Sequence, residues 1–290
     1  MPSWLPPEPT VYVIPLYFAS LFGEAALLAR YIREKRDVVG YEKRDTTASI
    51  LMGLVSLVFT ALINIGVFAL AKWLFQYRFF TLGTGVLGWT AALLGWDFAY
   101  YWFHRSEHRI RILWACHVNH HSSEHYNLST ALRQPWTPCP ALLFYPPLAL
   151  LGVDPGLIMI SGGLNLIYQY WIHTEAIRKM PRWFEFIFNT PSHHRVHHGS
   201  NDEYLDMNYA GALIIWDRMF GTFTEENARV RFGLTKNIES FKLLTIAFHE
   251  YVAVAKDVVQ AKGIGEKFGV MFRGPEWKAP SIALRQNSNG

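Results

Sequence analysis

Charge is scarce in this chain. Asp, Glu, Lys and Arg make up 17% of its 290 residues, against 51% hydrophobic and 16% aromatic. So little charge clothes a soluble enzyme poorly and suits a membrane protein belted with Trp and Tyr. Cysteine is scarcer still. Only Cys116 and Cys139 occur, with no CxxC pair, which excludes a disulfide framework, an iron–sulfur spacing and a thiol-based chemistry. The formal charge is +4 without any dense Lys/Arg cluster, so the basic excess reads as cytoplasmic-side charge and no nucleic-acid partner is expected. A dinucleotide fingerprint is lacking too. Gly83-Thr84-Gly85-Val86-Leu87-Gly88 has the GxGxxG letters, but it lies inside an apolar run rather than between a strand and a helix. The opening MPSWLPPEPT has neither a basic region nor a small-residue cleavage site, which predicts a retained first helix rather than a signal peptide.

What the chain does have is long apolar runs. A membrane span needs about 20 mostly apolar residues, and residues 10–29, 47–71 and 80–103 each supply such a run. A fourth apolar stretch, ALLFYPPLALLGVDPGLIMISGGLNLIYQYW, is broken by Pro146, Pro147 and the Val153-Asp154-Pro155-Gly156 turn. It reads as a bent helical hairpin that dips in and returns. Arg30, Arg33, Lys35, Arg36, Lys43 and Arg44 mark the first loop as cytoplasmic. Threading onward puts Arg105, Arg109 and Arg111, then Arg178, Lys179 and Arg182, on that same side. The sequon Asn127-Leu128-Ser129 falls there as well, so it is discarded. Glu24, within the first run, reads as a carboxylate that reaches toward Arg30 at the interface.

The expected fold is therefore an all-α integral membrane protein of three spanning helices plus the hairpin, with a cytoplasmic cap. The expected organisation is a transmembrane and cap domain over residues 1–225 and a C-terminal segment over 226–290. That segment is expected to be cytoplasmic or interfacial. Within it FKLLTIAFHEYVAVAKDVVQAK reads as an amphipathic helix and PSIALRQNSNG as a disordered tail.

Histidine is the most unevenly placed residue. Of 12 histidines, all but His249 lie between positions 104 and 198. His104 and His108 stand i, i+4 in HRSEH. His117, His120 and His121 stand in HVNHH, and His194, His197 and His198 repeat that spacing in HRVHH, directly after His193. His173 sits where the hairpin returns. Neighbours three and four apart share a helix face, so each group fans rings toward one centre and an adjacent residue toward a second. Neutral imidazole is the commonest metal ligand. One ion takes about four ligands, so nine such candidates point to a dinuclear site. His125 and His249 fit no ligand spacing.

Nine neutral ligands leave two dications uncompensated, and carboxylates are expected to gather behind them and accept the outer ring N–H groups. The candidates are Asp97, Glu107, Glu124, Glu175, Asp202 and Asp206. Asp97 shares a helical stripe with Tyr101, His104 and His108, and is expected to orient a ligand histidine or to offset metal charge, with a helix-packing carboxylate bonded to a neighbouring helix as the alternative. Trp102, Arg133 and Trp136 are candidates for substrate headgroup or passage contacts, with an interfacial belt as the alternative.

The ordered set HRSEH, HVNHH and HHRVHH on a multi-span chain resembles the fatty acid hydroxylase/sterol desaturase superfamily of membrane di-iron enzymes. Within it, HHSSEHYNLSTALRQ, WIHTE, FNTPSHHRVHHGSN and NYAGALIIWDRMFGTF resemble the alkylglycerol monooxygenase group and its bacterial relatives. The similarity covers roughly residues 45–240. It implies two iron ions, O2 activation and insertion of oxygen into a lipid C–H bond. It also implies His104, His108, His117, His120, His121, His173, His194, His197 and His198 as ligands, with His193 a further candidate. For the alkylglycerol group it implies an ether-lipid substrate, hydroxylation beside the ether oxygen with cleavage, and tetrahydrobiopterin as reductant. The expected partners are a membrane lipid, O2 and an external electron donor, in a bacterial inner membrane or the endoplasmic reticulum. Zinc fits the same imidazoles, so isolated material carrying zinc in place of iron is consistent with this reading. A desaturase using the same metals is the nearest alternative. A membrane metal transporter is the alternative of another class, but it would place ligands at mid-membrane depth, whereas these stand at helix ends and in loops.

Overall fold

The computed structural model describes residues 9–288, apart from the side chains of Val11 and residues 285–288. The opening MPSWLPPE, over which a signal peptide was weighed, lies outside the described residues, as do the last two residues of the tail. The regular elements are helical, and the described residues add one isolated β-bridge, between Gly199 and Phe232. In chain order the helices are α1 (Pro9–Arg33), α2 (Lys43–Phe75), α3 (Val86–Arg109), α4 (Arg111–His121), α5 (Ala141–Phe144), α6 (Pro155–Trp171), α7 (Arg182–Ile187), α8 (Pro191–His197), α9 (Ile215–Phe220), α10 (Leu243–Gln260), α11 (Gly263–Phe272) and α12 (Pro280–Ser288).

Among the described residues two helices are long and apolar enough to cross a membrane, Tyr12–Arg33 within α1 and Lys43–Phe75, which is α2. In each, only 17% of the most apolar stretch is buried inside the protein. Their outward side chains, such as Leu16, Phe22, Leu54, Leu57, Val58 and Leu62, are exposed to an extent that water would penalise. The third expected span departs from this pattern. α3 begins at Val86 rather than near residue 80, and it is not among the helices that meet the length and composition test. Its second half is polar and turned inward, burying Asp97, Tyr100, Tyr101, His104, Glu107 and His108.

The hairpin takes a definite form. α5 leads into a 3-10 turn over Pro146–Leu151, Gly152 reverses the chain at φ 87°, and Asp154 caps α6 by accepting from Gly156 and Leu157 N–H. A Cβ at Gly152 would stand 2.3 Å from the Phe80 carbonyl oxygen, so both the left-handed turn and the close approach require glycine. α6 packs against α1, α2 and α3. The shared core joins Trp96, Tyr100, Tyr145, Leu148 and Ile158, with Trp96 stacked on Tyr145 at 4.6 Å.

The C-terminal helices close over α4. Buried Arg111, at the start of α4, pairs with Glu250 (2.8 Å) and Asp257 (2.7 Å) of α10. The stretch expected as a disordered tail is helical over Pro280–Ser288, because Ala279 and Ile282 bury against Val254 and Val270. Composition alone hid those few apolar anchors among the polar letters.

Candidate metal centre

Nine histidines meet in the interior as two adjoining sets. The first is His104 and His108 from α3, His117 and His121 from α4, and His197 from α8. The second is His120 from α4, His173 just past α6, His194 in the middle of α8 and His198 at its C-cap. Within each set the ligand atoms lie within 4.8 Å of one another, and every ring is buried. Helical spacing does the sorting. His117 and His121 are four apart and face one set, while His120 between them faces the other. In the same way His194 and His198 share a set and His197 faces its neighbour. The sets touch, with the His121 and His198 rings 4.4 Å apart.

The hydrogen bonds behind the rings decide what the centre wants. Backbone carbonyls accept from the Nδ1–H groups of His104 (Tyr209, 2.7 Å), His173 (Gln169, 2.7 Å), His197 (Met207, 3.1 Å) and His120 (Arg133, 3.3 Å). A neutral ring with its proton on Nδ1 presents a bare lone pair at Nε2. Yet the Nε2 atoms of His120 and His173 stand 3.1 Å apart. Neither can donate to the other, so two lone pairs face each other across a hydrogen-bond distance. Protonation is no remedy, since burial pushes His173 down to about 4 and His120 well below the usual histidine value. Burial likewise pushes His117, His121, His194, His197 and His198 well down. The Nε2 atoms of His108, His197 and His198 and Nδ1 of His194 are buried without a partner. A cation resolves all of this. Two imidazole nitrogens about 2.1 Å from one first-row ion and at right angles stand about 3 Å apart. The observed contacts of 2.9 Å (His104 to His117), 3.1 Å (His121 to His117) and 2.9 Å (His194 to His173) match that edge.

Two carboxylates stand behind the first set. Glu107 Oε2 lies 3.5 Å from His117 Nδ1 and is buried, and Asp206 Oδ1 lies 3.8 Å from His108 Nδ1 while its other oxygen accepts from Arg109 at 2.5 Å. The remaining sequence candidates go elsewhere. The Asp97 carboxylate accepts from Asn165 Nδ2 (2.6 Å), the N–H groups of Ala212 and Leu213 (2.8 and 3.1 Å) and Trp216 Nε1 (2.8 Å). It therefore holds a loop rather than a ring. Tyr101 bonds Thr222 and Arg105. Glu175 accepts from Val39 N–H and Arg229. Glu124 and Asp202 are exposed. His193 lies outside both sets, beside Phe223 at 5.3 Å.

Of the substrate-contact candidates, Arg133 is sealed inside the protein. It pairs with Asp45 at 2.5 Å and also donates to Ser49 and Ser122. That is the geometry of a structural brace between α2 and the loop after α4. Trp136 donates to the Met52 carbonyl and stacks on Phe59. Trp102 is the exposed one, at the rim beside Phe98 and Phe220.

Several residues that shape the centre carried no signal in the sequence. Residues 207–213 form a strap whose Met207 and Tyr209 carbonyls hold His197 and His104. Buried Asp217 ties that strap down by accepting from the N–H groups of Tyr209 and Ala210, each at 2.8 Å. Asn208, at φ 58°, donates to the His193 and Thr224 carbonyls. Glu24 does not reach for Arg30. It is buried and accepts from Tyr41, Thr174 and Leu128 N–H, beside His173.

Residues 89–222 match the fatty acid hydroxylase family model. The chain is 48% identical over 204 residues to alkylglycerol monooxygenase of Homo sapiens, which covers 70% of this chain and 45% of the human protein. It is 50% identical over 190 residues to alkylglycerol monooxygenase of Danio rerio, covering 65% of this chain and 42% of that protein. A more distant likeness, 27% over 198 residues, is to the ornithine lipid hydroxylase OlsE of Rhizobium tropici, covering 67% of this chain and 58% of that one. The chain thus spans somewhat less than half the length of the alkylglycerol monooxygenases it matches. No solved structure matches it.

Proposed function

The chain carries a fatty acid hydroxylase domain, and from that premise we propose that it is a membrane-bound, O2-dependent lipid monooxygenase whose two histidine sets hold two iron ions. The observation that carries this is the pair of Nε2 lone pairs of His120 and His173, buried and 3.1 Å apart, an arrangement that a cation between them satisfies. Two bound irons would supply the redox chemistry that an aliphatic C–H bond demands and that side chains do not provide. The chain's own part is orientation and charge. Carbonyls of Tyr209, Gln169, Met207 and Arg133 fix which nitrogen of each ring faces inward. Glu107 and Asp206 offset part of the cationic charge from behind.

The substrate class follows from the relatives' names and from the apolar flanks of the centre. We assign an ether lipid, hydroxylated beside the ether oxygen so that the bond then cleaves, with tetrahydrobiopterin as electron donor. The lipid tail lies among α1, α2 and α3, the last acting as a third span. The histidine cap faces the cytoplasm, on the side marked by Arg30, Arg33, Arg36 and Arg178.

Cells expressing the intact protein or His197→Ala, grown under labelled oxygen, test this. A lipid product, or an aldehyde derived from it, carrying one labelled oxygen atom should occur only with the intact protein. A desaturated lipid without label would replace the reading with a desaturase. Identical lipid profiles would end the enzyme reading altogether.

A further inference from the structure

Outside the histidine interior a cavity of about 800 Å3 opens at the end of α1, walled by the 36–38 loop, the loop after His173 and residues 226–229. Its charge is unbalanced in a specific way. Five basic side chains line it, but three are already committed. Arg195 spends its donors on both oxygens of Glu226 and on the carbonyls of Thr174, Ile177 and Arg178. Arg229 is held by Glu175 and Asp37, and Arg36 by Glu34 while it stacks on Tyr31 at 4.1 Å. The other two, Arg178 and Lys179, are exposed at the opening, and among the described residues no carboxylate pairs with either. The lining therefore carries two adjacent cations that no carboxylate among the described residues neutralises.

We propose that this cavity binds a phosphate-bearing ligand, with Arg178 and Lys179 as the pair that holds the anion. A doubly charged phosphate answers two neighbouring cations, and guanidinium with ammonium is a donor set suited to phosphate oxygens. The volume exceeds what a bare phosphate fills, so the anion belongs to a larger molecule. The surroundings agree with a ligand drawn from either the membrane boundary or the aqueous side. The cavity opens where apolar α1 ends, and α7 directly beyond Lys179 exposes Trp183 (67%) and Phe186 (61%). The proposal stands apart from the metal reading, because neither basic residue touches a histidine of either set.

The test uses the whole chain in a neutral detergent and follows thermal unfolding with three probes. These are glycerol 3-phosphate in solution, phosphatidic acid mixed into the micelles, and diacylglycerol as the phosphate-free control. At least one phosphate probe should raise Tm in a saturable way while diacylglycerol does not. Stabilisation by phosphatidic acid alone identifies a lipid headgroup, and stabilisation by both identifies the phosphate group itself. In the exposed-site double variant Arg178→Ala, Lys179→Ala, the half-saturating concentration should rise at least tenfold, with unliganded Tm and metal content unchanged. Lys179→Glu alone should weaken binding further than Lys179→Ala. No stabilisation by either phosphate probe, or equal saturation in the double variant, would overturn the proposal.

Discussion

At the level of single residues, the centre depends on which nitrogen of each ring carries its proton. A backbone carbonyl behind Nδ1 is a fixed acceptor, so a ring kept neutral by burial leaves Nε2 as its inward lone pair. Glu107 Oε2 stands 3.5 Å behind His117 Nδ1, close enough to add charge beside that ring. Replacing it with Gln keeps the shape and removes the charge, so Glu107→Gln should weaken metal binding by about tenfold or more. The loss should fall on one of two equivalents, since the second set has no contact with this carboxylate. Metal titration of the apo protein reads this directly, and an unchanged isotherm would remove Glu107 from the site. The grouping of the nine histidines was legible from spacing because i, i+3 and i+4 fix which rings share a face. Arg133 was misread for the opposite reason. Nothing local tells an arginine bound for a headgroup from one whose partner, Asp45, lies far back in the chain. Removing one member of such a buried pair costs about 3–5 kcal/mol.

At the level of elements, four separate pieces deliver the rings and a fifth holds them. α3, α4 and α8 bring eight of the nine rings when the C-cap His198 is counted with α8, and His173 arrives on the return of the hairpin. The strap of residues 207–213 then sets two of these rings from behind, and buried Asp217 fastens the strap. A Cβ at Gly211 would meet Asn165 Oδ1 at 2.6 Å and Asp97 Oδ1 at 2.9 Å, so the strap runs against the Asp97 network with no room to spare. Asp217→Asn leaves an amide N–H facing backbone N–H groups, at a cost of about 1–3 kcal/mol. The expected results are a lower Tm and faster hydrogen exchange at Tyr209 and Ala210. Unchanged exchange there would show that the strap does not depend on this carboxylate. The hairpin was legible because Pro and Gly interrupt an apolar run in a recognisable order. The strap was not, since its acceptors are main-chain atoms and its anchors, Asp97 and Asp217, lie far apart in sequence.

At the level of the whole molecule, two apolar helices with little buried surface adjoin an interior rich in buried polar side chains. A buried collection of nine imidazoles stabilises nothing by itself, because each ring loses hydration and several nitrogens gain no partner. This histidine interior is thus arranged at the expense of the apo state, and metal binding should recover that cost as folding free energy. The apolar runs and the His-rich boxes announced this division of labour in the sequence. The helical ending over Pro280–Ser288 did not show, because a few apolar anchors decide it. The central claim is that the nine rings form two sites rather than one. Anaerobic reconstitution of the whole chain with ferrous iron, followed by measurement of iron per chain, tests it most directly. The account predicts two irons, falling to one in His173→Ala, His194→Ala while the first set remains loaded. A single iron in the unaltered protein, or none, would contradict it.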